Sequence, residues 1–130
     1  MNLEVIYEDN HLIAVNKPAG LVVQDNEHGL ASLEHHVKSY IKEKYNKPGA
    51  VFLGCIHRLD TNVTGIVLFA RTSKALTRMN DQFKNRLIKK TYAALIRRKP
   101  QPMAGTLEHW LKKDPKQNKT KLYHEEQSGS

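Results

Sequence analysis

The stretch VFLGCIHRLDTNVTGIVLFA, residues 51–70, holds a polar segment between two apolar ones. Residues 51–56 and 65–70 are rich in apolar and β-branched side chains, a composition that predicts two β-strands. The residues between them, His-Arg-Leu-Asp-Thr-Asn at 57–62, are polar and predict a strand-end loop. We therefore take residues 57–62 as the chemical centre of the sequence.

Short apolar runs precede this stretch. Residues 3–7 and 12–16 flank a polar cluster and predict a β-hairpin, and residues 21–23 predict a third short strand. Between residues 30 and 45, apolar side chains recur at steps of three and four, which predicts an amphipathic helix. The apolar stripe of this helix comprises Leu30, Leu33, Val37, Tyr40 or Ile41, and Tyr45.

A second helix is predicted after the strand at 65–70. Ser73 is a candidate N-cap because its hydroxyl can accept from an unpaired N–H of the first turn. The expected buried stripe comprises Leu76, Met79, Phe83 and Leu87. Residues 90–96 then alternate in the manner of a strand.

The pattern decays after Arg97, where the chain becomes polar and contains three prolines, with residues 107–111 as the candidate for one further short element. Strands and helices that alternate irregularly predict an α+β fold with a mainly antiparallel sheet and flanking helices. We expect residues 1–99 to be the N-terminal part of a domain. We interpret residues 100–130 as a polar, proline-containing segment that continues it.

The charge of the chain predicts an anionic partner. The 130 residues carry a net charge of +8, which divides into −2 over residues 1–50 and +10 over residues 51–130. Residues 71–99 alone contain ten lysines or arginines and a single acid. A one-signed excess of this kind favours contact with RNA over a merely solvated helix face.

Cysteine usage and hydropathy predict the compartment. The single cysteine, Cys55, has no partner for an internal disulfide, and the N-terminal residues lack the pattern of a secretory signal. No apolar run is long enough to span a bilayer. We expect a cytoplasmic protein that is a monomer and binds no membrane.

Arg58 and Asp60 are the pair that points to chemistry. They lie two residues apart, so their side chains could project to the same side of the loop and meet. One interpretation is a surface ion pair of little energetic value. The other is a carboxylate kept ionised by the guanidinium and available as a nucleophile or a base.

Several other functions lack support in the sequence. The seven histidines and Cys55 do not form a closed four-ligand spacing, so we expect no metal site, and His35 and His36 are interpreted as helix-surface residues. The nucleophile elbow, the phosphate-binding loop and the dinucleotide-binding glycine motif are all absent from the sequence.

Three segments together resemble the RluA-type pseudouridine synthase family. The first is YEDNHLIAVNKPAG at residues 7–20, and the second is HRLD at residues 57–60 with GIVLFAR at residues 65–71. The third is KTYAA at residues 90–94, which is similar to the Lys-x-Tyr motif of the family. Their order and spacing make the resemblance specific, although Arg-Leu-Asp alone would be a weak signal.

The resemblance implies an enzyme that isomerises uridine to pseudouridine in ribosomal or transfer RNA, without a cofactor or metal. By position, Asp60 matches the catalytic aspartate, which either attacks C1′ of the ribose or removes the C2′ proton. Tyr92 matches the tyrosine that packs on the target base and helps to remove its C5 proton. The residues expected to bind substrate are His57, Arg58, Lys17 and Lys90.

The sequence also departs from the family. Val63-Thr64-Gly65 stands where Thr-Ser-Gly is common, and no Thr-Gly-Arg-x-His-Gln-Ile-Arg segment is present. We therefore expect a pseudouridine synthase-like catalytic domain that is incomplete at its C-terminus, either as a fragment or as a shortened paralogue. The alternative function is a non-catalytic RNA-binding protein that keeps the basic surface but lacks the C-terminal part of the active site.

Overall fold

A computed structural model describes residues 1–25, 31–117 and 119–128 of the chain. Two compact units are present, Met1–Lys90 and Thr91–Ser130. The elements in chain order are β1 (Glu4–Glu8), β2 (Leu12–Lys17), α1 (Leu33–Lys44), β3 (Gly54–Cys55), β4 (Gly65–Ala70), α2 (Ser73–Lys84), β5 (Trp110–Asp114) and β6 (Lys119–Tyr123). The predicted domain boundary after residue 99 stays a prediction.

The first unit is built on a four-stranded antiparallel sheet in the order β1-β2-β4-β3. The predicted hairpin is confirmed: β1 and β2 pair across a turn in which the Asp9 carboxylate accepts from the His11 and Leu12 N–H groups at 2.7 and 2.8 Å. The central pairing of β2 with β4 places Val15 opposite Val67 and Ile13 opposite Phe69. These opposed pairs are fully buried and form the middle of the core.

Helix α1 supplies the other half of this core. It begins after Ser32, whose hydroxyl accepts from His35 N–H at 3.1 Å, and it buries Leu33, Val37 and Ile41 at steps of four. The predicted helix is confirmed over these residues, while its first predicted position, Leu30, lies outside the described residues.

Helix α2 contacts β3 and β4. Its N-cap is Thr72, whose hydroxyl accepts from Ala75 N–H at 3.1 Å, so the prediction of Ser73 was one residue late. The prediction that Leu87 is buried was wrong, because α2 ends at Lys84 and Leu87 is 71% exposed beyond it.

Two predicted strands are absent from the structure. Residues 21–23 do not pair in a sheet; instead the Val22 and Val23 carbonyls accept from Leu33 N–H and Glu34 N–H, both at 2.9 Å, at the start of α1. Residues 91–96 form no regular element and are exposed, so the strand predicted at 90–96 was wrong. Of the strand predicted at 51–56, Gly54–Cys55 alone pairs in the sheet.

The candidate short element at 107–111 is found in part, because β5 begins at Trp110; its pairing with β6 in a hairpin was not predicted. Strands β5 and β6 pair antiparallel, with Trp110 opposite Tyr123 and Asp114 opposite Lys119. The fold class predicted from the sequence, α+β with antiparallel sheets and helices, is confirmed. In the described part of the chain, no helix has the length and apolar character needed to cross a membrane.

Candidate active site

The loop at residues 57–62 joins β3 to β4 and forms one wall of a pocket. The pocket has a volume of about 660 Å³. It brings together four of the residues predicted to act on substrate, His57, Arg58, Asp60 and Lys90. The remaining lining residues are Val22, Val23, Gln24, Asp25, Leu59 and Thr61.

Asp60 lies in this wall with an exposed side chain. Its carbonyl accepts from Val63 N–H at 3.0 Å, which closes a turn directly after it. Arg58 also lines the pocket and is exposed. Among the described residues, the ion pairs within 4 Å are Lys38–Glu34 and Lys44–Glu8, so the Arg58 guanidinium does not pair with Asp60. The expected contact between these two side chains is therefore not found, which supports neither a surface ion pair nor a carboxylate kept ionised by the Arg58 guanidinium.

Lys17 anchors the loop at residues 57–62 through hydrogen bonds. Its side chain is fully buried, and its ammonium donates to the carbonyls of Thr61 at 2.8 Å and Pro18 at 2.9 Å. The Thr61 carbonyl also accepts from Gly20 N–H at 2.7 Å. Gly20 has φ +87°, a conformation that glycine adopts without the penalty of a side chain.

Lys17 acts on the loop through its charge as well as through its hydrogen bonds. Burial lowers the pKa of Lys17, and the negative charge of Asp60 opposes that shift. Lys17 was predicted to bind substrate, but the structure buries it and does not place it in the pocket wall. Its position is that of a residue that supports the loop carrying Asp60.

His57 fixes the start of the loop. Its Nε2 accepts from Leu68 N–H at 3.0 Å, and its ring stacks on Phe83 of α2 with centroids 5.2 Å apart. Burial lowers the pKa of His57, and the nearby charge of Lys90 lowers it further. A neutral ring that accepts at Nε2 has its proton on Nδ1.

Lys90 also contacts the ring of Phe83. Its ammonium is 5.3 Å from the centroid of the Phe83 ring, within the range of a cation–π interaction. Since Phe83 contacts both His57 and Lys90, α2 positions two of the pocket residues through one side chain.

Tyr92 belongs to the second unit, and 64% of its surface is exposed. Its predicted place beside Asp60 stays a prediction.

Sequence reasoning missed the pocket wall formed by Gln24 and Asp25. The Ser32 hydroxyl donates to the Asp25 carboxylate while it caps α1, so the start of the helix fixes this wall. No motif marks these residues. The one signal is their position directly after the apolar residues 21–23.

Within residues 1–25, 31–117 and 119–128, no three His, Cys, Asp or Glu side chains converge in a way that would hold a metal ion. The groups that the pocket offers for chemistry are the carboxylates of Asp60 and Asp25, of which Asp25 already accepts from the Ser32 hydroxyl, together with the cations of Arg58 and Lys90 and the ring of His57. This set suits an anionic substrate that presents a reactive centre to Asp60.

A sequence model described as RNA pseudouridylate synthase matches residues 11–130, and the chain belongs to this family. The resemblance noted from the three motifs is thereby confirmed. The chain is 35% identical over 97 residues to a tRNA pseudouridine synthase C of Pasteurella multocida, covering 75% of this chain and 38% of that protein. It is 40% identical over 96 residues to a ribosomal large subunit pseudouridine synthase C of Rickettsia bellii, covering 74% of this chain and 30% of that protein.

The chain thus spans about a third of the length of these curated relatives. Among solved structures, it is similar to Human RNA Pseudouridylate Synthase Domain Containing 4, with a TM-score of 0.54 and 23% identity. That similarity covers 65% of this chain and 30% of the human one, and it supports the fold.

Proposed function

We propose that this chain acts as an RNA pseudouridine synthase, with Asp60 as its catalytic carboxylate. The observation that carries the proposal is the pocket in which Asp60 stands exposed beside Arg58 and Lys90, on a loop tied down by Lys17. Membership of the RNA pseudouridylate synthase family supports it.

The reaction requires no external reactant. The bond from N1 of uracil to C1′ of the ribose breaks, and the base turns so that its C5 bonds to C1′. The C5 proton leaves, and N1 gains a proton, so product and substrate have the same composition. Asp60 acts on the ribose, either by attack at C1′ or by removal of the C2′ proton, and both routes need an ionised carboxylate within reach.

The cations of the pocket wall are suited to hold the RNA. Arg58 presents a forked donor that fits a phosphate, and Lys90 presents a point charge. A uridine stacked in a helix cannot bring its ribose to a carboxylate in a pocket, so the target nucleotide must be turned out of the stack. Tyr92 is proposed to contact the target base and to help remove the C5 proton.

The substrate is proposed to be ribosomal or transfer RNA, since the relatives bear the names of ribosomal large subunit and tRNA pseudouridine synthases. We also propose that the protein works in the cytoplasm, a reducing compartment that suits its free Cys55. The second candidate is a non-catalytic RNA-binding protein, which the net charge of +10 over residues 51–130 favours.

Chromatography of nucleosides tests the proposal directly. Unmodified ribosomal and transfer RNA are incubated with the chain, digested to nucleosides and separated to measure pseudouridine. We expect product with the parent chain and with Asp81→Asn, a substitution on the exposed surface of α2. Asp60→Asn should give none. Absence of product from the parent chain, with RNA still bound, would favour the non-catalytic candidate.

A further inference from the structure

The β5–β6 hairpin has two chemically different faces. Side chains alternate along a strand, and directly opposed residues share a face. Trp110 is opposite Tyr123, and two positions further along Lys112 is opposite Lys121, so these residues form one face. We call these four residues the aromatic–lysine face. The other face carries Leu111 opposite Leu122, followed by Lys113 opposite Thr120.

On the same side of the hairpin, two positions beyond Lys112, Asp114 lies opposite Lys119, so this side carries three lysines and one acid. Residues 110–123 contain five lysines and one acid, Asp114. The Asp114 carboxylate accepts from Lys116 N–H at 3.0 Å and serves the turn of the hairpin. In the part of the chain that the structure describes, none of these lysines forms an ion pair within 4 Å.

The opposed pair of Lys112 and Lys121 is itself unfavourable. Like charges directly across two strands repel, and both side chains are exposed. An anion bound between them would remove the repulsion. A row of phosphates fits this charge pattern, since each ammonium can neutralise one phosphate.

The aromatic residues indicate which phosphate-bearing partner the face would bind. Trp110 is 43% exposed on the same face as the two lysines, which places a flat ring beside the proposed phosphate contacts. Rings that stack on bases together with cations that track the backbone are the usual means of binding single-stranded nucleic acid. A duplex hides the faces of its bases and would leave Trp110 without a partner.

We propose that the aromatic–lysine face binds an unpaired segment of RNA, with Lys112 and Lys121 on phosphates and Trp110 stacked on a base. This inference rests on the proposed function, because it assumes that the anionic partner is the RNA substrate.

Binding of a labelled oligouridylate and of an RNA duplex of the same length, measured over a range of salt concentrations, tests the inference on the full 130-residue chain. We expect Lys112→Gln and Lys121→Gln each to reduce the slope of log K against log salt by about 0.7 for the single strand. Lys113→Gln is the matched control, since it removes the same charge one residue away on the other face.

Substitution of Trp110 tests the stacking. Trp110→Ala should weaken binding of the oligouridylate roughly ten-fold, and Trp110→Phe should keep most of the affinity. Neither should change binding of the duplex. If Trp110→Ala unfolds the hairpin, the other variants still test the face. Trp110→Phe keeps an aromatic ring at this position, and Lys112→Gln and Lys121→Gln leave Trp110 unchanged.

Equal slope changes from Lys112→Gln and Lys113→Gln would overturn the inference. Tighter binding of the duplex than of the single strand, or no binding of either RNA, would also overturn it. Pseudouridine formation is measured separately, so its failure is distinguishable. If pseudouridine forms and depends on Asp60, but the aromatic–lysine face does not bind RNA, this inference alone is rejected. If the face binds RNA but no pseudouridine forms, the proposed enzyme alone is rejected.

Discussion

The side-chain ammonium of Lys17 lies 2.8 Å from the carbonyl oxygen of Thr61, the residue that follows Asp60. The same oxygen accepts from Gly20 N–H at 2.7 Å. The end of β2 and the turn after it therefore hold the loop that carries the proposed catalytic carboxylate. The position of Asp60 depends on a buried lysine 43 positions earlier in the chain.

Replacement of Lys17 by methionine should loosen this loop. Lys17→Met keeps the length of the side chain but removes donors to two carbonyls, although it also relieves the cost of a buried charge. We expect the free energy of unfolding to fall by about 1–2 kcal/mol. We expect kcat to fall more than KM rises, because the carboxylate is displaced while the RNA contacts remain.

Urea unfolding and steady-state kinetics measure these two effects. Lys47→Met, at an exposed position after α1, serves as the control and should change neither quantity. Unchanged kcat in Lys17→Met would contradict a positioning role.

Asp9 should make stability depend on pH in the acid range. Hydrogen bonds from the Tyr7 hydroxyl and from the His11 and Leu12 N–H groups lower the pKa of Asp9 from 3.8 to about 2. A lowered pKa favours the folded state above the ordinary pKa, and this stability is lost as the pH falls towards 2. We expect Asp9→Asn to flatten this part of the curve and Tyr7→Phe to flatten it in part.

Urea midpoints measured at several acid pH values report this effect. Asp81→Asn is the control, since it removes a carboxyl that lies exposed on α2. If the urea midpoint of Asp9→Asn falls with pH as steeply as that of the parent, the Asp9 turn does not contribute to the pH dependence of stability.

His57 should couple stability to pH nearer neutrality. Burial and the charge of Lys90 lower the pKa of His57 from its ordinary value of 6.5. The contribution of His57 to the free energy of unfolding is therefore complete above pH 6.5 and is lost as the pH falls through the lowered pKa. Protonation would also break the bond that Nε2 accepts from Leu68 N–H. His57→Ala should cost about 1–3 kcal/mol at neutral pH, because it leaves that N–H without a partner.

The free energy of unfolding, followed from neutral to mildly acid pH, tests this prediction. His57→Gln retains an acceptor and should lose less stability than His57→Ala, and both should lose the pH dependence. An unaltered pH dependence in His57→Ala would refute the assignment.

A side chain at Gly54 should force Leu76 to shift. A Cβ at this position would lie 2.8 and 2.9 Å from the two methyl carbons of Leu76, which packs on β3 from α2. Gly54→Ala should therefore destabilise the fold by about 1 kcal/mol, because the flexible end of Leu76 must move. In a double-mutant cycle measured by thermal or urea unfolding, Leu76→Ala should remove part of this cost, because the methyl carbons that clash are gone. Strictly additive effects of the two substitutions would contradict the proposed contact.

The sequence predicted the elements whose apolar periodicity is strong. Leu33, Val37 and Ile41 recur at the helical step and are the residues that α1 buries. Val22 and Val23 have the composition of a strand, but their carbonyls are used to start α1. The candidate element at 107–111 reached only the first two residues of β5, because the next residues are lysines, which give no apolar alternation.

The site was predicted in part because its residues are close in sequence. His57, Arg58 and Asp60 occupy one loop, so a single motif places them together. Lys17 could not be assigned in this way, since a lysine before Pro18 in a turn has the character of an exposed residue. The burial of Lys17 depends on the pairing of β2 with β4, which brings its ammonium within hydrogen-bonding distance of the Thr61 carbonyl.

Release of tritium from RNA labelled at C5 of uridine tests the central claim most directly, because the C5 proton must leave when the new bond to C1′ forms. The account predicts release by the parent chain and none by Asp60→Ala, while both bind the RNA with nearly equal affinity. Release by Asp60→Ala at the rate of the parent would contradict the assignment of Asp60 as the catalytic carboxylate.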